Sequence, residues 1–194
     1  MYKKLNITEN HLRILSLFTK GREYYIREIE RLLEISPRTA QLILYNLEAK
    51  GVLESETKGK IRMFKMRNSG VCKRYLVFAE QYKLMVFLEK KLLVREILEK
   101  ISPLIEGIGI VFGSYAKETE GKESDLDVFV AGECRKAEIK KISETYGVEI
   151  SIKCYPLKIF EKNFNTDILL KEIQKNHIVF KGSERFVGAM LKNG

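Results

Sequence analysis

The sequence is poor in cysteine and histidine, and these shortages exclude several kinds of functional site. Its 194 residues include three scattered cysteines, Cys72, Cys134 and Cys154, which form no CxxC pair. An odd, widely spaced set indicates neither a disulfide framework nor a zinc site, so we expect buried, reduced thiols. The two histidines, His11 and His177, are too few and too far apart in sequence for a histidine metal site or an acid–base pair. Any metal bound here must be held by oxygen.

Long apolar runs and low-complexity tracts are also missing. The first residues contain no apolar core of a secretory signal, and charged side chains repeatedly interrupt the most apolar helical stretch, residues 75–93. A Walker-type phosphate loop, GxxxxGK[ST], is absent too. Gly121-Lys122 would be its GK pair, but Ala116 stands at the position of the first glycine. We therefore expect an ordered, cytoplasmic protein that has no membrane partner and is not a P-loop NTPase.

The net charge of +9 is concentrated at the N-terminal end of the chain. Residues 1–68 contain 14 Lys and Arg against 8 Asp and Glu, whereas residues 107–194 contain 14 against 13. A basic segment of this kind favours a polyanionic partner, and nucleic acid is the first candidate for that end of the chain.

Three helices followed by a hairpin are predicted for the N-terminal segment. Thr8 can cap a first helix that ends at Gly21, and a second helix follows from about Tyr25. The third begins at the N-cap Ser36 and ends at Gly51. Two short strands then form the hairpin, residues 52–56 and 61–66.

This order of elements resembles the winged helix-turn-helix domains of bacterial and archaeal transcription regulators over about residues 5–67. The likeness includes the pattern L..L...G.L from Leu44 to Leu53. Double-stranded DNA is the expected partner, with the third helix in the major groove and the wing on phosphates. The expected contacts are Arg38, Thr39, Gln41 and Tyr45 on the helix and Lys58, Lys60 and Arg62 on the wing. The alternative is a solvated helix face and a basic hairpin in a domain that binds protein.

The middle of the chain, residues 71–106, has a helical composition and a wide apolar surface. Pro103 marks its end. An apolar helix must be covered, either by the domains that it connects or by a second copy of itself. Because winged-helix regulators often match twofold DNA sites, a homodimer is one of the two expectations.

Asp125 and Asp127, which are separated by a single residue, begin a predicted buried strand. An earlier predicted strand ends at Gly113. Two side chains that are separated by a single residue on a strand point to the same face. The two carboxylates therefore repel each other unless a cation lies between them. Mg²⁺ prefers carboxylate oxygens together with water and substrate phosphates. The Gly113-Ser114 turn offers backbone N–H groups and a hydroxyl to a phosphate. These parts suit phosphoryl or nucleotidyl transfer.

The segments GSYAK at residues 113–117 and SDLDV at residues 124–128 resemble the motif of DNA polymerase β-like nucleotidyltransferases. The likeness is to the minimal nucleotidyltransferases of prokaryotes and covers about residues 90–190. It implies an α+β fold with a small mixed sheet, an NTP substrate with ATP expected, and Mg²⁺ or Mn²⁺ as cofactor. Together with the N-terminal elements it implies two domains. The boundaries are 1–68 for the winged helix-turn-helix, 69–106 for connecting helices and 107–194 for the nucleotidyltransferase-like domain.

The same resemblance implies roles for individual residues. Gly113, Ser114 and Lys117 would bind the phosphates of the nucleotide. The metal ligands and catalytic residues would be Asp125, Asp127 and a third carboxylate, for which Glu149 fits the family's pattern. An alignment on the following helix instead places Ser151 at the third position, so the choice between these two residues stays open.

Three functions follow from these features. The first is an enzyme that transfers a nucleoside monophosphate from an NTP to an acceptor. The second is a DNA-binding transcription regulator whose nucleotidyltransferase-like domain senses a nucleotide without catalysis. The third is a toxin–antitoxin component with a helical HEPN-type protein partner, because minimal nucleotidyltransferases are often paired with such toxins.

Overall fold

The computed structural model describes residues 5–192, which form an α+β fold, as predicted. The chain divides into two compact units, residues 1–79 and 80–194. The first contains α1 (Glu9–Phe18), α2 (Ile26–Leu33), α3 (Pro37–Ala49), and the strands β1 (Leu53–Lys58) and β2 (Ile61–Met66). Three predicted helices and a predicted hairpin are therefore confirmed as elements.

Local sequence explains the start of α3 and the hairpin turn. The Ser36 hydroxyl accepts a hydrogen bond from the Thr39 N–H at 3.0 Å, and Pro37 occupies the first helical position. The strands β1 and β2 pair in antiparallel register, and β1 reaches Lys58, closer to the turn than predicted. Gly59 supplies the positive φ of 65° that a tight turn requires.

One contact of the first unit was not predicted. Tyr24 exchanges backbone hydrogen bonds with Phe64 at 2.8 and 2.9 Å, so the segment before α2 pairs with β2. Phe64 is fully buried, as are Ile29 of α2 and Leu44 of α3. Phe64 of the hairpin is thus buried together with side chains of α2 and α3 in the core of the first unit.

The middle of the chain, for which connecting helices over residues 69–106 were predicted, is helical except at its end. It forms α4 (Gly70–Lys90), α5 (Leu92–Ile101) and a 3₁₀ turn that holds Pro103, and a strand already begins at Ile105. Lys91 separates the helices because its backbone, with ψ of 70°, is not helical. The described residues include no helix that combines the length and the hydropathy needed to span a membrane.

The apolar surface of α4 is partly covered. Leu76 and Ala79 are fully buried, whereas Val71, Phe78 and Met85 remain exposed at steps of seven residues. Seven residues are close to two helical turns, so the three exposed side chains share one face of α4. The homodimer that would cover this face stays a prediction.

The second unit is a four-stranded mixed sheet with helices between its strands. Its strand order is β5-β4-β3-β6, in which β4 and β5 are parallel and the other pairs are antiparallel. Its elements from Ile105 onward are β3 (Ile105–Val111), α6 (Gly113–Lys117), β4 (Leu126–Cys134), α7 (Lys136–Tyr146), β5 (Ile150–Tyr155), α8 (Leu157–Asn163), α9 (Ile168–Lys175), β6 (Ile178–Lys181) and α10 (Ser183–Lys192). The mixed sheet expected from the family resemblance is present.

Side chains of β4 alternate between two cores. Leu126, Val128 and Val130 belong to an aliphatic cluster that also contains residues of α5 and α7. Phe129 points to the other face, where its ring centroid lies 5.9 Å from that of Phe160. Since Asp127 shares the parity of Phe129, its carboxylate lies on the aromatic face of the sheet, next to the point where β4 begins.

A buried polar network connects α4 with the segment that precedes β6. Glu80 and His177 are almost completely buried. The imidazole Nδ1 lies 3.1 and 3.0 Å from the carbonyl oxygens of Ile173 and Gln174. Its Nε2 lies 2.8 Å from the Lys83 ammonium and 3.0 Å from a carboxylate oxygen of Glu80. The same ammonium donates to both carboxylate oxygens of Glu80 at 3.1 Å. No sequence pattern predicted this network.

Candidate active site

The site begins where the end of β3 meets the start of β4. The Phe112 N–H donates a hydrogen bond to the Asp127 carbonyl at 3.0 Å, which places Gly113 beside Asp127. Gly113 has a φ of 69°, and a Cβ atom at this position would lie 2.1 Å from Asp127 Oδ2. Glycine is therefore required here both by the backbone conformation and by the carboxylate that fills the space of its missing side chain.

The two aspartates differ in exposure. Asp127 is half-buried on β4, while Asp125 is exposed and lies one residue before the strand that it was predicted to begin. Burial and the negative charge of Asp125 raise the pKa of Asp127, and Lys153 on β5 opposes this effect. Two mutually repelling carboxylates at the start of β4 provide oxygen ligands that suit a hard divalent cation.

The residue that lies beside Asp127 on the neighbouring strand, where a third metal-binding carboxylate was expected, is not a carboxylate. The parallel register of β4 and β5 pairs Asp127 with Ser151 and Leu126 with Ile150. Glu149 is exposed and lies just before β5, where its carbonyl accepts a hydrogen bond from the Leu126 N–H at 2.8 Å. Within residues 5–192, no group of three or more His, Cys, Asp or Glu side chains is placed to hold a metal. The structure brings two of the predicted ligands together and leaves Glu149 outside a three-carboxylate cluster.

The residues that follow Gly113 form the short helix α6, which ends at Lys117. Ser114 is half-buried in its first turn. The Lys117 ammonium donates to the Glu172 carboxylate at 2.8 Å, and both side chains are largely exposed. Exposed ion pairs of this kind contribute little to stability, so a phosphate can replace Glu172 as the partner of Lys117 at small cost.

Glu118 follows α6 in a left-handed conformation, and its carboxylate accepts a hydrogen bond from Lys90 at 2.9 Å. The pair moderates the negative charge that an acidic residue adds next to the Gly113-Ser114 turn. Lys153 is a further residue of the site that the sequence analysis missed. Its position two residues after Ser151 on β5 was the available signal, because side chains at that spacing share a face.

The predicted DNA-contacting residues lie on α3 and on the hairpin. Arg38 and Tyr45 are exposed, and Thr39 and Gln41 are half-buried. The hairpin cations differ in their partners. Lys58 forms ion pairs with Glu23 and Glu56, and Arg62 forms one with Glu48. Lys60 is exposed and has no acidic partner in the described part of the chain. The cationic side chains that sequence analysis grouped together are thus unequal in their availability.

Residues 80–180, just over half of the chain, match the nucleotidyltransferase domain family. The chain belongs to this family, and nucleotidyl transfer is its generic function. No curated protein matches the chain. One solved structure similar to it is that of TrmBL2, described as an archaeal chromatin protein with a novel mode of DNA binding. The two sequences are 16% identical, the alignment covers 87% of this chain and 70% of that one, and the TM-score of 0.30 establishes no common fold.

Substitution of Gly113 by alanine is expected to damage the site directly. The new Cβ would overlap the Asp127 carboxylate and would also force a strained backbone conformation. We expect a loss of about 1–3 kcal/mol in the free energy of unfolding and a shift of Asp127 out of place. Urea denaturation checks the first effect, and metal-dependent nucleotide binding checks the second. Gly147→Ala is the matched control, since its φ of 63° is similar and nothing lies within 4 Å of its added Cβ.

Proposed function

We propose that this chain is a metal-dependent nucleotidyltransferase that transfers a nucleoside monophosphate from an NTP, ATP being the first candidate, to an acceptor. The single observation that supports this function best is the packing of the Asp127 carboxylate against Gly113, with Asp125 beside it. A phosphate-binding turn and two mutually repelling carboxylates thus meet at one end of the two central strands, β3 and β4. Membership in the nucleotidyltransferase domain family agrees with this arrangement.

The proposed roles follow from the positions of the side chains. Ser114 and the backbone of the Gly113 turn bind the phosphates, and Lys117 exchanges Glu172 for a phosphate oxygen. Asp125 and Asp127 would hold Mg²⁺, which neutralises charge on the triphosphate when it is bound. The acceptor oxygen or nitrogen attacks the α-phosphorus, a new bond to phosphorus forms, and pyrophosphate leaves with the electron pair of the broken P–O bond. Positioning and electrostatics supply most of the rate.

The experiment that tests this function is Mg²⁺-dependent pyrophosphate release by the intact chain, with each NTP in turn and with cell extract as a source of acceptor. Release that depends on both the extract and Mg²⁺ supports transfer. If Mg²⁺ and nucleotide bind while no pyrophosphate appears with any NTP, the transferase proposal is wrong and the second candidate replaces it.

The second candidate is a DNA-binding transcription regulator that senses a nucleotide without turnover. The observation that favours it is Ser151, which occupies the position next to Asp127 where a third carboxylate would be expected. A serine hydroxyl cannot provide the negative charge that holds a second cation. Such a site would bind a nucleotide with one metal ion and release it unchanged.

Substitutions at the two rival positions distinguish these cases. If Glu149 provides the third carboxylate, Glu149→Gln lowers pyrophosphate release by about tenfold to a hundredfold. If the serine is the cause of weak catalysis, Ser151→Asp raises release by a similar factor, because it adds a carboxylate beside Asp127. The first result would make Glu149 a ligand in addition to Asp125 and Asp127, as the family pattern implies. Unchanged activity in Glu149→Gln together with a gain in Ser151→Asp would show that the site has no third carboxylate.

For the first unit we propose a winged helix-turn-helix that binds double-stranded DNA through α3 and the hairpin. Support comes from the exposed Arg38 and Tyr45 on α3 and from the unpaired cation Lys60 at the hairpin tip. Lys60→Gln is expected to weaken DNA binding about threefold to tenfold and to reduce the salt slope by about 1. Lys58→Gln should have a smaller effect, since Glu23 and Glu56 already neutralise Lys58. Fluorescence anisotropy with duplex DNA over a salt series measures both. Equal, negligible effects would favour a protein partner for this face.

A further inference from the structure

Two cysteines that are far apart in sequence lie side by side in the second unit. Cys134 ends β4 and Cys154 lies on β5, the parallel neighbour of β4. Their sulfur atoms are 3.1 Å apart, and both residues carry free thiols. A disulfide bond measures ~2.05 Å, so the sulfurs need to approach by only about 1 Å to form one. Buried, reduced thiols were expected; both thiols are free but only half-buried, and their proximity was not predicted.

The pair is shielded but reachable. Both side chains pack against the aliphatic core of the unit and are half-buried. Burial and the neighbouring Cys154 sulfur raise the pKa of the Cys134 thiol to about 11, although Lys136 opposes this. A surface cavity of about 200 Å³ is lined in part by Cys134, Arg135 and Pro103, so Cys134 borders a space that is open to solvent.

We propose that Cys134 and Cys154 form a modification site that reacts with low-molecular-weight disulfides and closes into an intramolecular disulfide bond. One cysteine, as its thiolate, attacks a sulfur of the small disulfide, so that a mixed disulfide forms and one small thiol leaves. The second cysteine loses its proton to water and attacks the protein sulfur of the mixed disulfide. The second small thiol then leaves. The two cysteines are oxidised, one small disulfide is reduced to two thiols, and the chain loses two hydrogen atoms.

The bond would close a loop that contains α7. The two cysteines are 20 positions apart in the chain, so the cross-link restricts a segment that runs from the end of β4 through α7 to β5. A restricted unfolded chain raises stability when the native geometry accepts the bond without strain. We expect the melting temperature of the oxidised chain to rise by about 5–10 °C.

The test is incubation of the native, full chain with excess oxidised glutathione at pH 8.5, followed by denaturation, alkylation and mass measurement. The proposal predicts a mass loss of about 2 Da before alkylation and a single alkylated cysteine, Cys72. Cys72 is fully buried, and burial raises the pKa of its thiol to about 12, so it serves as an internal control. The reduced chain should take three alkyl groups after denaturation.

Single variants separate this reaction from other oxidation products. Cys134→Ser and Cys154→Ser should lose the 2 Da change, and any product should carry one glutathione on the remaining cysteine of the pair. Cys72→Ser should react as the natural sequence does. Three alkylatable thiols after prolonged incubation, or a disulfide-linked dimer on non-reducing gels, would overturn the proposal, and neither outcome depends on nucleotidyl transfer.

Discussion

Replacement of Asp125 and Asp127 together by asparagine is expected to lower Mg²⁺-dependent pyrophosphate release by at least about 10³-fold. Asparagine keeps the size of each side chain but removes both negative charges that would hold the cation. The loss should appear mainly in kcat, because the metal neutralises charge that develops as pyrophosphate leaves. The measurement is a steady-state pyrophosphate assay of the natural and double-variant chains at several Mg²⁺ concentrations.

The matched control for this experiment is Glu123→Gln. Glu123 is exposed in the same segment between α6 and β4, so its substitution removes a nearby carboxylate that is not assigned to the site. It should leave the rate within about twofold of the natural chain, by the usual tolerance of exposed positions. A double variant with undiminished, Mg²⁺-dependent release would place the catalytic carboxylates elsewhere.

Replacement of Glu80 by alanine is expected to lower the free energy of unfolding by about 3–5 kcal/mol. Glu80 is fully buried and contacts both Lys83 and His177, so its removal takes a charged group out of a buried polar network. Urea denaturation followed by circular dichroism measures the change. Glu89→Ala on the same helix is the control, since Glu89 is exposed and its loss should change stability by less than about 0.5 kcal/mol. Similar values for the two variants would show that the buried network contributes little.

The same network makes stability depend on pH. Burial and the positive charge of Lys83 lower the pKa of His177 below its ordinary value of 6.5. Burial alone would raise the pKa of Glu80. The interactions of its carboxylate with Lys83 and His177 have the larger effect and lower this pKa below its ordinary value of 4.5. Both groups bind protons more readily in the unfolded chain, so their contribution is complete above about pH 7 and is lost as the pH falls. Below about pH 4.5 the pH dependence should be weaker in Glu80→Ala, because this chain lacks the carboxyl group that titrates there.

Sequence periodicity predicted the elements of the fold well where their ends carry strong local signals. Ser36 and Pro37 determine the start of α3, and Gly59 determines the hairpin turn. The middle of the chain was less predictable, because residues 70–104 are helical in composition throughout. The break at Lys91 and the early start of β3 depend on packing in the second unit, which sequence pattern alone does not describe.

The candidate site was predictable to the extent that its residues are neighbours in sequence. Asp125, Asp127 and Gly113 belong to one short motif, and the structure brings Asp127 against Gly113. The choice between Glu149 and Ser151 depends on the register between β4 and β5, which is set by contacts between strands rather than within them. The Cys134–Cys154 pair and the Glu80–Lys83–His177 network are long-range contacts of the same kind, and for that reason the sequence analysis missed both.

The central claim is that Asp125 and Asp127 form a metal-dependent nucleotide site, which both the transferase and the sensor require. Its most direct test is binding of Mn²⁺ in the presence of a non-hydrolysable ATP analogue, followed by electron paramagnetic resonance of the free ion. The account predicts that the natural chain removes Mn²⁺ from solution together with the analogue, and that Asp127→Asn weakens this binding by at least about tenfold. Equal binding by the natural chain and by Asp127→Asn would contradict the account.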